Sequence, residues 1–199
     1  MPQPDQIMAL DIIPDPSTLD DANRKLFQIC EEKFGFVPNV LQAYSARERK
    51  LQTFSRHYNE LMLGESRLSK LEREMIAVVV SSANHCYYCL VAHGAAVRQL
   101  SGDPELGEML VMNYRTAELS PRHRAMLDFA HRLTVQPSQM GETDRQALRD
   151  AGFVDEEIFD IADVTGFFNM SNRVASAVEM MPNPEYHALN RQAAAISDT

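Results

Sequence analysis

Hydrophobic residues recur three and four positions apart along almost the whole chain, and no stretch alternates apolar and polar residues in the manner of a half-buried strand. The pattern predicts an all-α fold. A first helix starts at Asp20, runs through NRKLFQICEEKF and ends at Gly35, whose missing Cβ suits a left-handed cap. Pro38 opens the next helical stretch, residues 39–63, which breaks near Ser45 and closes at Gly64. SKLE at 69–72 spells a capping box, with Ser69 and Glu72 satisfying each other's end of a new helix. That helix is the apolar one that leads to the cysteines of AVVVSSANHCYYCLVAHG at 77–94.

Pro104 starts the short helix ELGEMLVMN, and Ser120 with Pro121 starts RHRAMLDFAHRLT. Thr143 with Gln146 reads as a second capping box opening DRQALRDAG, and Asp155 reads as the cap of a final long helix that runs to Met180. Pro182 and Pro184 stop that helix. LSKLEREM at 68–75 and LSPRHRAM at 119–126 share a Leu-Ser start, an Arg and a Met. The echo suggests an internal duplication of a helical unit, with Ala125 where the first copy has Glu74. The expected organisation is an acidic, proline-broken extension at 1–18, one helical domain at 19–185, and a tail at 186–199 that packs loosely or on a neighbour.

A chain of 199 residues buries a core without disulfide staples. Its 19 basic and 28 acidic side chains give a net charge of −9, and no dense Lys/Arg block relieves it, which argues against nucleic acid or anionic membrane as partners. The start of the chain lacks the basic and apolar run of a signal peptide, and no apolar run approaches the ~18 residues of a membrane span. The expected location is the cytoplasm. There, three cysteines point to catalysis, metal binding or inert burial and not to a disulfide framework.

On a helical wheel Cys86, Cys89 and His93 fall within an arc of about 60°, together with Leu90, Val97 and Leu100, so both thiols and the imidazole face inward. Tyr87, Arg98 and Gln99 fall on the other side. The spacings of three and four residues let Cys86 touch Cys89 and Cys89 touch His93. Thiolate is the nucleophilic form, and both an imidazolium and a helix start favour it. With Asn84 as N-cap, Cys86 lies in the first turn, where unpaired N–H groups favour negative charge. His93 is placed to take the proton of Cys89, and Glu74 reaches His93 if the two helices form an antiparallel hairpin through Asn84. A sulfenic acid formed on one thiol is then closed to a disulfide by the other.

Three readings stay open on the residues alone. One is this redox pair. Another is a metal site with Cys86, Cys89 and His93 as ligands and His85, Glu74 or His123 as the fourth, although structural zinc draws its ligands from separate elements. The last is a core helix with inert thiols, as Cys30 in LFQICEEKF is read. Met62, Met109, Met112, Met180 and Met181 suit packing, an apolar pocket or a subunit interface. Asn169, Asn172 and Arg173 in FFNMSNR suit helix packing first and pocket lining second.

A Glu twelve residues before the first Cys of Cys-x-x-Cys and a His four after the second, met here by Glu74, Cys86, Cys89 and His93, resemble the AhpD-like alkylhydroperoxidases of the carboxymuconolactone decarboxylase superfamily. FGFVPNVLQAYS at 34–45 and FFNMSNR resemble the uncharacterised peroxidase-related branch, so the resemblance spans residues 10–185. It implies an AhpD-like helical bundle, a homo-oligomer (trimer or hexamer), and a thiol peroxidase that needs no cofactor or metal. Its substrate would be a hydroperoxide and its reductant an unidentified dithiol. In the implied cycle Cys89 attacks, His93 and Glu74 relay the proton, and Cys86 resolves; helix-start electrostatics alone favour Cys86 as the attacker. Well-studied members carry a His where this chain has Tyr88, and a phenol is a poor base at neutral pH. Two alternatives accompany this reading: a decarboxylase-like lyase using His93 and Glu74, and a redox-sensing or zinc-binding oligomeric module.

Overall fold

The computed structural model describes residues 3–191, and among them there are nine α-helices and no strand. They are α1 (Asp21–Phe34), α2 (Asn39–Tyr44), α3 (Glu48–Leu63), α4 (Lys70–Ala83), α5 (Tyr87–Ser101), α6 (Pro104–Asn113), α7 (Pro121–Val135), α8 (Glu142–Asp150) and α9 (Asp155–Ala177). Of the expected tail at 186–199, residues 192–199 lie outside the described residues, as do residues 1–2 of the expected extension.

Helix α4 is the axis of the fold. Every side chain from Glu72 to Ser81 is buried, and α5, α6, α7 and α9 pack around it. A helix apolar on all sides has to be central. Its three consecutive valines carry a modest helix penalty, offset by burial and by the Ser69–Glu72 capping box, which forms with both bonds present. Met75 of α4 is fully buried, as are Leu51, Leu127, Leu148, Ile161 and Phe168 of other helices.

Several expected boundaries are observed. Asp20 caps α1, Gly35 ends it at φ 78°, the break at Ser45 separates α2 from α3, and Pro104 and Pro121 occupy first turns. Four details differ. Helix α8 is capped by Gly141, whose N–H is accepted by Asp144 at 2.8 Å, so Thr143 and Gln146 form no box and Thr143 lies inside the first turn. Asp155 is the first helical residue of α9, not its cap; Glu157 accepts the Val154 N–H at 2.8 Å from within the first turn. Helix α9 ends at Ala177, before Met180. Asn84 ends α4 and does not cap the next helix.

The two echoed segments open α4 and α7, with Ser69 and Ser120 as the respective N-caps. The helices pack together, and Arg122 binds both Glu72 and Glu157, clamping the starts of α4, α7 and α9. Arg98, expected on the outer side of its helix, is 5% exposed because the chain after α9 lies over it. It donates to the Tyr186 and Leu189 carbonyls. Residues 7–9 in turn exchange backbone hydrogen bonds with Val178 and Met181.

Candidate active site

Between α4 and α5 the chain reverses within three residues. Asn84 closes α4, His85 adopts a left-handed φ of 52°, and Cys86 stands at the N-cap of α5. Histidine tolerates that conformation better than most residues, although strain of ~1–3 kcal/mol is the usual cost. The Cys86 N–H is held by the Ser81 carbonyl at 3.0 Å. Cys86 therefore lies two positions earlier in the helix than a cap at Asn84 would have placed it.

The tight hairpin makes α4 and α5 antiparallel neighbours and brings Glu74 directly to His93, with Nδ1 to Oε2 at 2.7 Å. Glu74 is 7% exposed. A carboxylate on Nδ1 fixes that nitrogen as the donor, so Nε2 is the atom free to exchange a proton. Phe168 of α9 meets the imidazole edge-on at 4.6 Å and Tyr58 of α3 flanks it. All four residues singled out by the sequence thus lie at the α4–α5 junction. His123 is remote from it, beside Glu72, and His85 is exposed. Among the described residues no group of three or more His, Cys, Asp or Glu side chains is arranged to hold a metal ion.

Cys86 and Cys89 are free thiols, 1% and 2% exposed. The Cys86 thiol is drawn down to about 6, foremost by the hydrogen bond from the Cys89 thiol, with the Cys89 N–H, the Ser176 hydroxyl and the charge of His93 adding to it against burial. Cys89 moves the opposite way: its hydrogen bond to Cys86, its burial and the neighbouring Cys86 charge all push it well above an ordinary thiol. Above about pH 6 this coupling favours the shared proton on Cys89 and the negative charge on Cys86. Cys30, buried in α1, is raised by desolvation.

Around the sulfurs lie Tyr88, Ala175 and Met180, with Val40 and Ala43 of α2 packed over them. Met180 therefore borders the thiols, whereas Met112 is 77% exposed. The best-formed surface hollows, beside Arg47 and beside Phe159, do not reach the pair. Asn172 and Ser81 also face Cys89. By sequence Asn172 suits helix packing first and pocket lining second; nothing in FFNMSNR marks it as a neighbour of a thiol 83 positions earlier.

Comparisons with known proteins bear on the family and the fold. A family model for the carboxymuconolactone decarboxylase family matches residues 50–132. An uncharacterised peroxidase-related protein from Silicibacter sp. TM1040 is 62% identical over 96% of this chain and 100% of its own, with a TM-score of 0.92. The chain belongs to the carboxymuconolactone decarboxylase family, in its AhpD-like, peroxidase-related branch. An AhpD-core, peroxidase-related protein from Ralstonia eutropha JMP134 is 39% identical over 95% of this chain and 99% of its own, at a TM-score of 0.91. The debrominase Bmp8 shares the fold, with a TM-score of 0.74 at 17% identity over 93% of this chain and 96% of its own. No curated protein matches significantly. No helix among the described residues is long and apolar enough to cross a membrane.

Within this AhpD-like site Tyr88 works through its oxygen on α2. Its hydroxyl accepts the Val40 N–H at 3.1 Å, while Asn183 accepts the Asn39 N–H at 2.7 Å, so two side chains from outside cap a helix that begins on a proline. The capped helix carries Val40 and Ala43, which pack against the cluster that holds both cysteines. Tyr88→Phe removes one tie of that cover. The expected result is a stability loss of about 1 kcal/mol and severalfold faster alkylation of the reduced protein, with the thiolate midpoint unmoved. Alkylation no faster than wild type would separate Tyr88 from the cover.

Proposed function

We propose that this chain reduces hydroperoxides through a Cys86–Cys89 dithiol/disulfide cycle, with His93 and Glu74 as its proton relay and a small-molecule or protein dithiol as its reductant. The observation that carries this reading is the buried thiol pair, with its charge on Cys86, beside a histidine held by Glu74 at 2.7 Å. The membership in a peroxidase-related branch supports it.

Thiolate is the attacking species, so the resting charge assigns the first step to Cys86, whereas the family resemblance assigns it to Cys89. The Cys86 sulfur bonds to the terminal peroxide oxygen, the O–O bond breaks, and the electron pair leaves on the alkoxide, which takes a proton from His93. Glu74 stabilises the imidazolium before transfer and holds the ring afterwards. Cys89 then attacks the sulfenic acid: an S–S bond forms, hydroxide leaves, and the proton released by Cys89 makes it water. The reductant restores both thiols. The exposed Phe159, Met170 and Val174 along α9 fit the homo-oligomer that the resemblance implies.

The test is a stopped-flow titration of reduced protein with hydrogen peroxide and organic hydroperoxides, counting thiols before and after. One equivalent of peroxide is expected to consume two of the three thiols and leave Cys30. A group whose charged form reacts gains rate as pH rises through its pKa, so the rate is expected to climb through about pH 6 and level off above. Loss of no thiols, or stoichiometric zinc on protein purified without chelator, would overturn the proposal.

A further inference from the structure

Beneath the thiols a run of side-chain amides crosses from α9 to α4 and back. Arg173 donates to the Asn169 carbonyl at 2.7 Å and to its Oδ1 at 2.8 Å. The Asn169 amide nitrogen donates to the Thr165 carbonyl and to Thr134 Oγ1, both at 3.0 Å. An arginine only donates and a backbone carbonyl only accepts, so these partners fix which end of the Asn169 carboxamide is oxygen. The order then propagates. Asn84 Nδ2 donates to Asn169 Oδ1 at 3.1 Å and to Asn172 Oδ1 at 3.0 Å, which uses both of its hydrogens. Asn172 must therefore turn its NH2 the other way. One of its hydrogens goes to Ser81 Oγ at 3.0 Å, and the Ser81 hydroxyl proton is already committed to the Ala77 carbonyl at 2.6 Å. The second hydrogen of Asn172 is left for Cys89, which packs against Ala175 one turn further along the same face of α9.

We propose that Asn172 is a positioning residue for Cys89: it holds an N–H donor on that sulfur, oriented by the chain from Arg173 through Asn169 and Asn84, and stabilises the anion that Cys89 carries when the disulfide is opened. Asn172 and Ser81 are 1% and 0% exposed, so no water competes for the bond. The disulfide step rests on the function proposed above. In it, a thiolate of the dithiol reductant bonds to the Cys86 sulfur, the Cys86–Cys89 bond breaks, and its electron pair stays on Cys89, facing the Asn172 N–H. The second thiol of the reductant then closes the reductant's own disulfide, freeing Cys86 as thiolate, and its proton passes to Cys89. That end state is the resting arrangement. The other titratable groups near Cys89 are Cys86 at the N-cap of its helix, His93 one turn further along α5, Tyr44 of α2, Tyr58 of α3 and Tyr88 of α5. The charge of His93 acts on Cys86, and its Nδ1 is taken by Glu74.

The test isolates Cys89 in the full-length chain carrying Cys30→Ala and Cys86→Ser, and follows its thiolate absorbance near 240 nm against pH, with and without Asn172→Leu. A lost bond to a charged acceptor raises the midpoint by about one unit or more, an about tenfold smaller thiolate fraction at a pH below both midpoints. Asn84→Ala, which frees the amide without deleting it, is expected to shift the midpoint in the same direction by less. An unchanged midpoint in folded Asn172→Leu protein overturns the proposal; if that variant does not fold, an unchanged midpoint in Asn84→Ala does so. The readout needs no peroxide. A protein that shows the shift but reduces no hydroperoxide would sink the proposed function and leave this assignment standing.

Discussion

Cys89→Ser is expected to stop turnover after its first step, with a sulfenic acid trapped on Cys86, whereas Cys86→Ser is expected to lose turnover and form sulfenate slowly. Both lose steady-state activity because no disulfide can close. The single-turnover rates separate them. A serine at 89 still offers a hydroxyl donor to the Cys86 sulfur, so much of what lowers that thiol persists. In Cys86→Ser the Cys86 charge is gone, but burial still holds Cys89 above an ordinary thiol. At pH 6.5 such a thiol is scarcer as thiolate than Cys86, and its greater intrinsic nucleophilicity recovers only part of the difference, leaving sulfenate formation slower by about tenfold. Trapping with a dimedone-type reagent and mass spectrometry reads the site directly. Sulfenate on Cys89 in Cys86→Ser at the wild-type rate would restore the order that the family resemblance implies.

The helical architecture was legible because each helix carries its own local signals. Ser69 and Glu72, Ser120 before Pro121, and Gly35 at φ 78° work within one turn of the chain, so they survive in the sequence. The Glu74–His93 contact was legible for a related reason: two neighbouring helices joined by a tight reversal have few ways to pack. What failed was the identity of the reversal. Asn84 is a good N-cap by propensity, but the left-handed residue that turns the chain is His85, and a non-glycine residue at positive φ leaves no pattern to read. The misplacement matters chemically, since it moves Cys86 from inside the first turn to the cap itself.

Contacts made across long separations were the least legible. Arg98 sits on the outer side of its helix by periodicity, yet it is buried because the chain near Tyr186 lies over it. Asn172 reads as one more polar residue of α9, and its meaning comes from Ser81 and Asn84, which reach it from α4. Tyr88 was weighed as a replacement for a base. Its hydroxyl instead caps α2, so the residue between the two cysteines ties the thiol helix to the segment that covers it. Access to the sulfurs depends on that one side chain.

Glu74→Gln is expected to cut hydroperoxide turnover by about 10²–10⁴-fold, the range over which a general acid–base relay contributes. The substitution keeps size and keeps an oxygen able to accept the His93 Nδ1–H now bound at 2.7 Å, so the ring stays in place. What is lost is the negative charge. The relay passes through an imidazolium, which beside a neutral amide in a buried site lacks its anionic partner, so delivery of a proton to the departing alkoxide is slowed. Stability moves little, because the amide keeps the bond to Nδ1 and leaves no buried carboxylate unpaired. The charge of His93 is also one of the causes that lower Cys86, so the pH at which the reaction rate is half-maximal is expected to rise above about 6. A merely structural glutamate would move the melting temperature and leave that midpoint alone. Unchanged turnover together with an unchanged midpoint would remove Glu74 from the mechanism and leave His93 to act without an anionic partner.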